Sequence, residues 1–450
     1  MNRRTKRRAA GAVALVLGVG LATPGAAQPA TATGTSAVVR WIEHNAHPLD
    51  TVDPTAPLDD LAPLRRAVGH ASIVGLGEPA HEVAEVTTLK HRALRYLVER
   101  MGFRSIAWED DWTLGLEIDA YVRTGDGDVD EILSRTGGGW ATREVADVLT
   151  WLRDFNTGRP ASDQIRFVGV EYYTTWLPAY DMVDSYVADV APKRLAELRA
   201  HTATLVPTKE TAFAHAQWYM NEVPAKQPYV DHARAVYDLI AELAEDDSVE
   251  LHAARQIRTF YEHYQLPFTD ALVFRDAKAA ENLRWWRDAG HDKIVYWAAT
   301  PHSAVAPDLR ITAPPEPDLA FASVGSYVDR WYGAGYRSIG FTFDHGTLSS
   351  DDITASELAS EPMDTGAGGW PPPAPDWFER PFGQTRYDQF VLDLRGPAPA
   401  PVRQWLYGPL RTRGFVDHVP PYDSYGSGGT LDQWFDVIIH RQTVTAAEPL

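Results

Sequence analysis

Cysteine is absent from the 450 residues, which excludes disulfides, thiolate metal sites and a cysteine nucleophile. Positive charge is scarce: 42 Lys and Arg stand against 61 Asp and Glu, a formal charge of −19. So acidic a chain repels phosphate-rich surfaces, and neither nucleic acid nor an anionic membrane is expected as a partner. Beyond Ala9–Ala22 no segment has the uninterrupted apolar length of a transmembrane helix. Several chemical signatures are missing too. There is no G-x-S-x-G nucleophile elbow, no P-loop and no G-x-G-x-x-G, since Gly75-Leu76-Gly77 lacks the third glycine. No fixed-period repeat is present.

What is there begins with Arg3, Arg4, Lys6, Arg7 and Arg8, followed by the apolar stretch Ala9–Ala22 and the small residues of Pro24-Gly25-Ala26-Ala27. This is the pattern of a secretory signal over residues 1–27, and it makes an extracellular protein the expectation, with no stable membrane insertion after cleavage. Residues 28–36 are rich in Ala and Thr and read as a flexible leader. Over the whole chain 44% of residues are hydrophobic and 15 are Trp, enough to build a large folded core.

Five apolar runs of strand length follow, and each stops at an acid or a histidine. Ser72–Leu76 leads to Glu78, Arg104–Trp108 to Glu109-Asp110-Asp111, and Ile165–Val170 to Glu171. Lys293–Ala298 leads to Thr300-Pro301-His302, and Arg337–Phe343 to Asp344-His345. Helical patterns such as Thr87–Arg100, Leu114–Val122 and Val145–Asn156 lie between them. Strands alternating with helices imply βαβ units and a mainly parallel sheet flanked by helices. Their C-terminal ends then share one edge, where open α/β sheets bind ligands. Residues 177–288 are almost wholly helical in pattern and rich in aromatics. The expected architecture is an α/β domain over 37–176 and 289–450, with a helical subdomain over 177–288 covering the strand-end cleft. The aromatics are either the core of that bundle or a wall of the cleft.

The stretch Ile73–Met101 organises the rest. A short apolar run breaks at Gly75 and Gly77, places Glu78 and His81 in a turn, and continues as a helix. Apolar residues at Val83, Val86, Leu89, Ala93, Leu94, Leu97 and Met101 give that helix one buried face, and Gly102 follows as a left-handed cap. An imidazole can take a proton from water attacking a carbonyl, and a nearby carboxylate fixes its tautomer. Glu78 and Glu109 are the carboxylates placed to serve His81. A second imidazole, His302, can polarise the carbonyl or protonate the leaving alcohol. His81-Glu82-Val83-Ala84-Glu85 begins like a zinc-protease helix but has Glu85 where the second histidine belongs. His81 and Glu85 would still share a helix face, so a metal site of His81, Glu85 and His302 stays open as an alternative.

The run GLGEPAHEVAEVTTLKHRALRYLVERMGFRSIAWE resembles the erythromycin esterase family, with its Gly-Glu-x-x-His, basic helix residue, Gly-Phe and strand ending in Glu. The likeness continues at Trp140 with Arg143-Glu144-Val145, at Trp151–Asn156, and at Phe167–Glu171. It resumes at Phe274-Arg275-Asp276 with Asn282, at Lys293–Ala298 with His302, at Gly340-Phe341, and at Phe435–His440. The resemblance implies a hydrolase that opens a macrolactone ester without a covalent serine, a cofactor or a metal. It matches His81 to the general base, Glu78 and Glu109 to its carboxylate partners, and His302 to the second essential histidine. Lys90 stands where many members carry a basic residue, often Arg; Lys90, Glu171 and His345 are expected to contact substrate. Three positions depart from the family pattern: Ala299-Thr300-Pro301 precedes His302, Glu171 replaces an Asp, and Glu82 replaces a frequent Gly. The implied partner is a small ester or lactone, handled by a monomer. A non-catalytic ligand-binding protein of the same fold is the other alternative.

Overall fold

In the computed structural model, residues 32–137, 139–291, 293–314, 317–347, 369–413 and 423–450 are described. The expected signal over 1–27 and the first part of the leader lie outside them. The helix Ala32–Asn45 begins within the stretch whose composition suggests a leader.

Among the described residues, twelve strands form two sheets. In chain order they are β1 (His47–Pro48), β2 (Ile73–Glu78), β3 (Ser105–Asp111), β4 (Arg166–Glu171), β5 (Ile294–Ala299), β6 (Leu309–Thr312), β7 (Leu319–Phe321), β8 (Tyr336–Gly346), β9 (Gln389–Asp393), β10 (Arg411–Arg413), β11 (Tyr425–Ser427) and β12 (Val437–Val444). The large sheet has the order β1-β9-β12-β8-β2-β5-β3-β4. From β12 to β4 all neighbours are parallel, and β9 and β1 close one edge antiparallel. The chain steps from β2 to β3 over the place that β5 later fills. The sheet is thus extended in both directions from β2 and β5, and such a reversal of strand order opens a crevice at the strand ends. β2, β3, β4, β5 and β8 are the five apolar runs of the sequence.

The period of two in these strands sorts the core into two faces. Val74, Leu76, Ile106, Trp108, Val295 and Trp297 face one apolar layer, with the helices Ala84–Met101 and Arg143–Asn156 over it. Ile73, Ala107, Val168, Ile294, Tyr296 and Ala298 face the other. Over this second face lie helices of the aromatic-rich region, which run Leu177–Val190, Leu195–Leu205, Ala212–Glu222, Gln227–Ala241, Val249–His263 and Phe268–Asp288. Tyr219, Phe260 and Tyr261 are fully buried among them, so these aromatics are bundle core rather than cleft wall. A sheet of β10-β11-β6-β7, antiparallel throughout, packs with Trp41, Phe382, Leu406 and Trp434 as a third apolar cluster.

Two backbone features shape the region around Glu78. A Cβ on Gly77 would lie 2.3 Å from Ser303 Oγ, so glycine here lets the short helix Thr300–Ser303 dock directly on β2. That close approach, rather than a nucleotide phosphate, accounts for the Gly75-Leu76-Gly77 pattern. The helix after the turn begins at Ala84 and ends at Gly102, which has φ 74° and takes the expected left-handed cap.

Candidate active site

The strand ends of β2, β3, β4 and β5 bring Glu78, Glu109, Glu171 and the turn carrying His302 to one edge. Glu78 closes β2 and is buried. One of its oxygens lies 2.6 Å from His81 Nδ1 and the other 2.5 Å from Lys90 Nζ. An ionised carboxylate only accepts, so Nδ1 carries the ring proton and Nε2 is left as the proton-accepting nitrogen. Lys90 reaches Glu78 from the second turn of its helix and is wholly buried. Its ammonium sits 4.2 Å over the Trp297 ring, which stacks on Trp108, and Trp140 meets Trp108 edge-on. Burial in this indole nest pulls Lys90 down to about 8, although Glu78 and Glu109 favour its charged form. The His81 ring lies 4.2 Å from that of Trp140.

His302 is held differently. Its Nδ1 is 2.9 Å from Asp276 Oδ1 and its Nε2 3.1 Å from Glu109 Oε1. Burial works against its charge, but Asp276 and Glu109 outweigh burial and raise its pKa. Asp276 is buried on the helix Phe268–Asp288 and also accepts the Val324 N–H at 3.0 Å. The preceding Arg275 bridges Glu109 at 3.0 Å and Glu171 at 3.0 Å. Burial alone would raise Glu109; His302, Arg275, His81 and the Ala299 N–H, 2.6 Å away, instead hold it down at about 2. Glu171 is as deeply buried, and there burial prevails over Arg275, so its pKa is raised. Glu109 therefore pairs directly with His302 and also feels the charge of His81.

The remaining acids of β3 have other work. A register shift between Trp108 and Asp111 lets consecutive acids point to different partners. Asp110 accepts the Gly137 N–H at 3.1 Å and lies 3.4 Å from the Tyr173 hydroxyl, tying down two loops beside the site. Asp111 caps the helix Trp112–Thr124 through the Thr113 N–H and also accepts the Thr174 N–H at 3.1 Å.

Of the residues singled out in the sequence, Glu78, His81 and Lys90 form one bonded group, and Glu109, Glu171 and His302 form a second through Arg275; the two groups influence each other electrostatically. His345 lies near the end of β8, a strand hydrogen-bonded to β2, and its contacts are Asp344 at 2.9 Å and Thr443 at 3.3 Å. The premise of a shared His81–Glu85 helix face is corrected: His81 lies in the turn before the helix. The Glu85 carboxylate accepts the Thr445 N–H at 2.7 Å and its hydroxyl at 3.0 Å. Among the described residues, no group of three or more His, Asp or Glu is arranged to hold a metal ion. Arg275, Asp276 and Trp140, given no role in the sequence reading, are placed at the site by the fold. The signal for the first two was an adjacent Arg-Asp pair within a helix, and the resemblance motif contained it.

The profile of the erythromycin esterase family matches residues 98–444. The chain belongs to that family. Erythromycin esterase type II from Escherichia coli is 29% identical over 149 residues, 32% of this chain and 35% of that protein. The putative hydrolase YbfO of Bacillus subtilis is 21% identical over 287 residues, 58% of this chain and 62% of its own length. The chain thus spans about a third to three-fifths of these curated relatives. A crystal structure of a Bacillus cereus protein superposes with a TM-score of 0.76 at 27% identity, covering 92% of this chain and 99% of that one. A mutant of the erythromycin esterase EreC in its open conformation superposes at 0.63 and 17% identity, over 89% of this chain and 97% of that one, and shows the shared fold.

Proposed function

We propose that this protein is a hydrolase of carboxylic esters, with a macrolide-type lactone as the substrate class, acting through water activated by His81. The observation that carries the reading is the Glu78–His81 pair at 2.6 Å, set beside a second imidazole fixed between two carboxylates. His81 Nε2 takes a proton from water as the oxygen bonds to the acyl carbon. Negative charge then develops on the carbonyl oxygen, and the His302 imidazolium and the Arg275 guanidinium are the cations available to stabilise it. Collapse breaks the acyl–oxygen bond, the leaving alkoxide takes up the proton carried by His81, and an alcohol and a carboxylic acid remain, the acid then releasing its proton to water as a carboxylate. No protein atom bonds to the acyl group. Glu78 holds the His81 tautomer, Lys90 sets a cation against the other Glu78 oxygen, and Glu109 pairs with His302. Membership of the erythromycin esterase family supports the ester class. The signal pattern at residues 1–27 supports an extracellular enzyme, for which a monomer suffices.

The test is a panel of macrolides and simpler lactones incubated with the protein lacking residues 1–27, with mass detection of the gain of one water. Turnover of a lactone by the parent and its loss in a folded His81→Ala variant are expected. Near-normal hydrolysis by His81→Ala would show that this assignment of the base is wrong.

A further inference from the structure

We propose that the segment Val444–Leu450 is a strap that positions His81, rather than a passive end to the last strand. Past β12 the chain runs antiparallel to the turn that carries His81. Ala84 N–H donates to Thr445 O at 3.0 Å, Ala446 bridges Val83, and Ala447 N–H donates to Glu82 O at 2.8 Å. Thr445 adds its two bonds to Glu85. The same segment then crosses to the loop that carries Trp140. Arg143 N–H donates to Glu448 O at 2.7 Å, Thr142 bridges Pro449, and Leu450 N–H donates to Ala141 O at 3.1 Å. Each anchor begins one residue after an aromatic of the site: Glu82 follows His81, and Ala141 follows Trp140. Those two rings lie 4.2 Å apart, so one short segment ties together both sides of the His81–Trp140 contact.

The turn needs such a tie. Glu82 has φ 59°, the left-handed region that favours glycine, and it is the one non-glycine residue with positive φ among those described. A residue held in that conformation persists when its surroundings over-determine it. Here the surroundings are the strap bond to Glu82 O and the close approach of the Glu82 side chain to Gly139, where a Cβ would lie 2.8 Å from Oε1. If the turn relaxed, His81 would shift against Glu78 and water, and misplacement of about 1 Å costs on the order of a hundredfold in rate.

The catalytic part of this inference rests on His81 being the base; the mechanical part does not. The experiment uses full-chain variants: Ala447→Pro, which removes the N–H bonded to Glu82, Thr445→Val, which removes one bond to Glu85, and Thr445→Ser as the conservative control. Amide hydrogen exchange without substrate and steady-state kinetics on a lactone are measured together. Ala447→Pro is expected to speed exchange in residues 79–85 and 139–145 while β2, β3 and β5 stay protected, and to lower kcat at least tenfold with KM within about twofold. Thr445→Val gives a smaller effect of the same kind and Thr445→Ser none. If Ala447→Pro does not fold, Thr445→Val decides. Unchanged exchange in both turns overturns the strap, and so does a uniform rise across the sheet, which would make the segment a general support of the fold. Faster exchange in the turns with kcat unchanged overturns its catalytic role. A parent protein inactive on every ester defeats the proposed function instead, and exchange still tests the strap.

Discussion

The two histidines of the site are built on opposite plans. His81 sits in a turn, its side chain 27% exposed, with one carboxylate on Nδ1. His302 sits in a four-residue helix, its side chain 9% exposed, with a carboxylate on each nitrogen. An imidazole held by one carboxylate keeps a nitrogen with which to accept a proton. One clamped between two has none to spare, and its charged form is the one its surroundings favour. Under the proposed mechanism the difference suits His81 to proton transfer and His302 to fixed positive charge. It also says where stability and activity coincide and where they part.

Substitution at His302 has the larger expected effect, since it strikes both. His302→Gln removes a cation from between buried Asp276 and Glu109. Removing one partner of a buried ion pair costs about 3–5 kcal/mol, read as a fall in the denaturation midpoint, and activity falls as well. At neutral pH His302 contributes with a definite sign. Its folded pKa is raised, so the stability it supplies is full below about 6.5 and is lost as pH climbs through the folded value. The His302→Gln loss is therefore greatest at pH 6 and shrinks toward alkaline pH. His81→Ala is expected to do the reverse: kcat falls by roughly 10²–10⁴ while the free energy of unfolding changes by less than about 1 kcal/mol. Equal loss of stability in the two variants would erase the distinction.

The sheet was legible because fully buried parallel strands are short apolar runs, and each ended where a polar residue broke the run. That logic reached Glu78, Glu109, Glu171 and His302 directly. It did not reach Arg275 and Asp276, which lie inside a helix of 21 residues. Helical periodicity marks a buried face but not which neighbour that face meets. Glu85 was misread for a related reason. A helix start of Ala84 takes His81 off the helix, and the partner of Glu85 comes from residue 445, about 360 positions away. The sheet of β6, β7, β10 and β11 escaped notice because its strands have three or four residues, too few to show a period.

Lys90 offers the finest test of the contrast, because the carboxylate it bonds is Glu78, on the His81 side. Its ammonium meets Glu78 in the indole nest, and the buried amine falls to about 8. As pH rises through that value Glu78 loses its cation, and the turn that orients His81 loses its charge balance. Activity is expected to decline above pH 8 for this reason. Arginine stays charged throughout that range, so Lys90→Arg should remove the decline, with smaller change at pH 7. Stability moves the other way. The folded pKa lies below the unfolded value of about 10.5, so between pH 8 and 10.5 the unfolded chain binds more protons and the Lys90 contribution to stability grows with pH. Activity lost while stability is gained, both relative to Lys90→Arg, is a signature that general alkaline unfolding cannot produce. A parallel fall of both would instead place the decline elsewhere than Lys90.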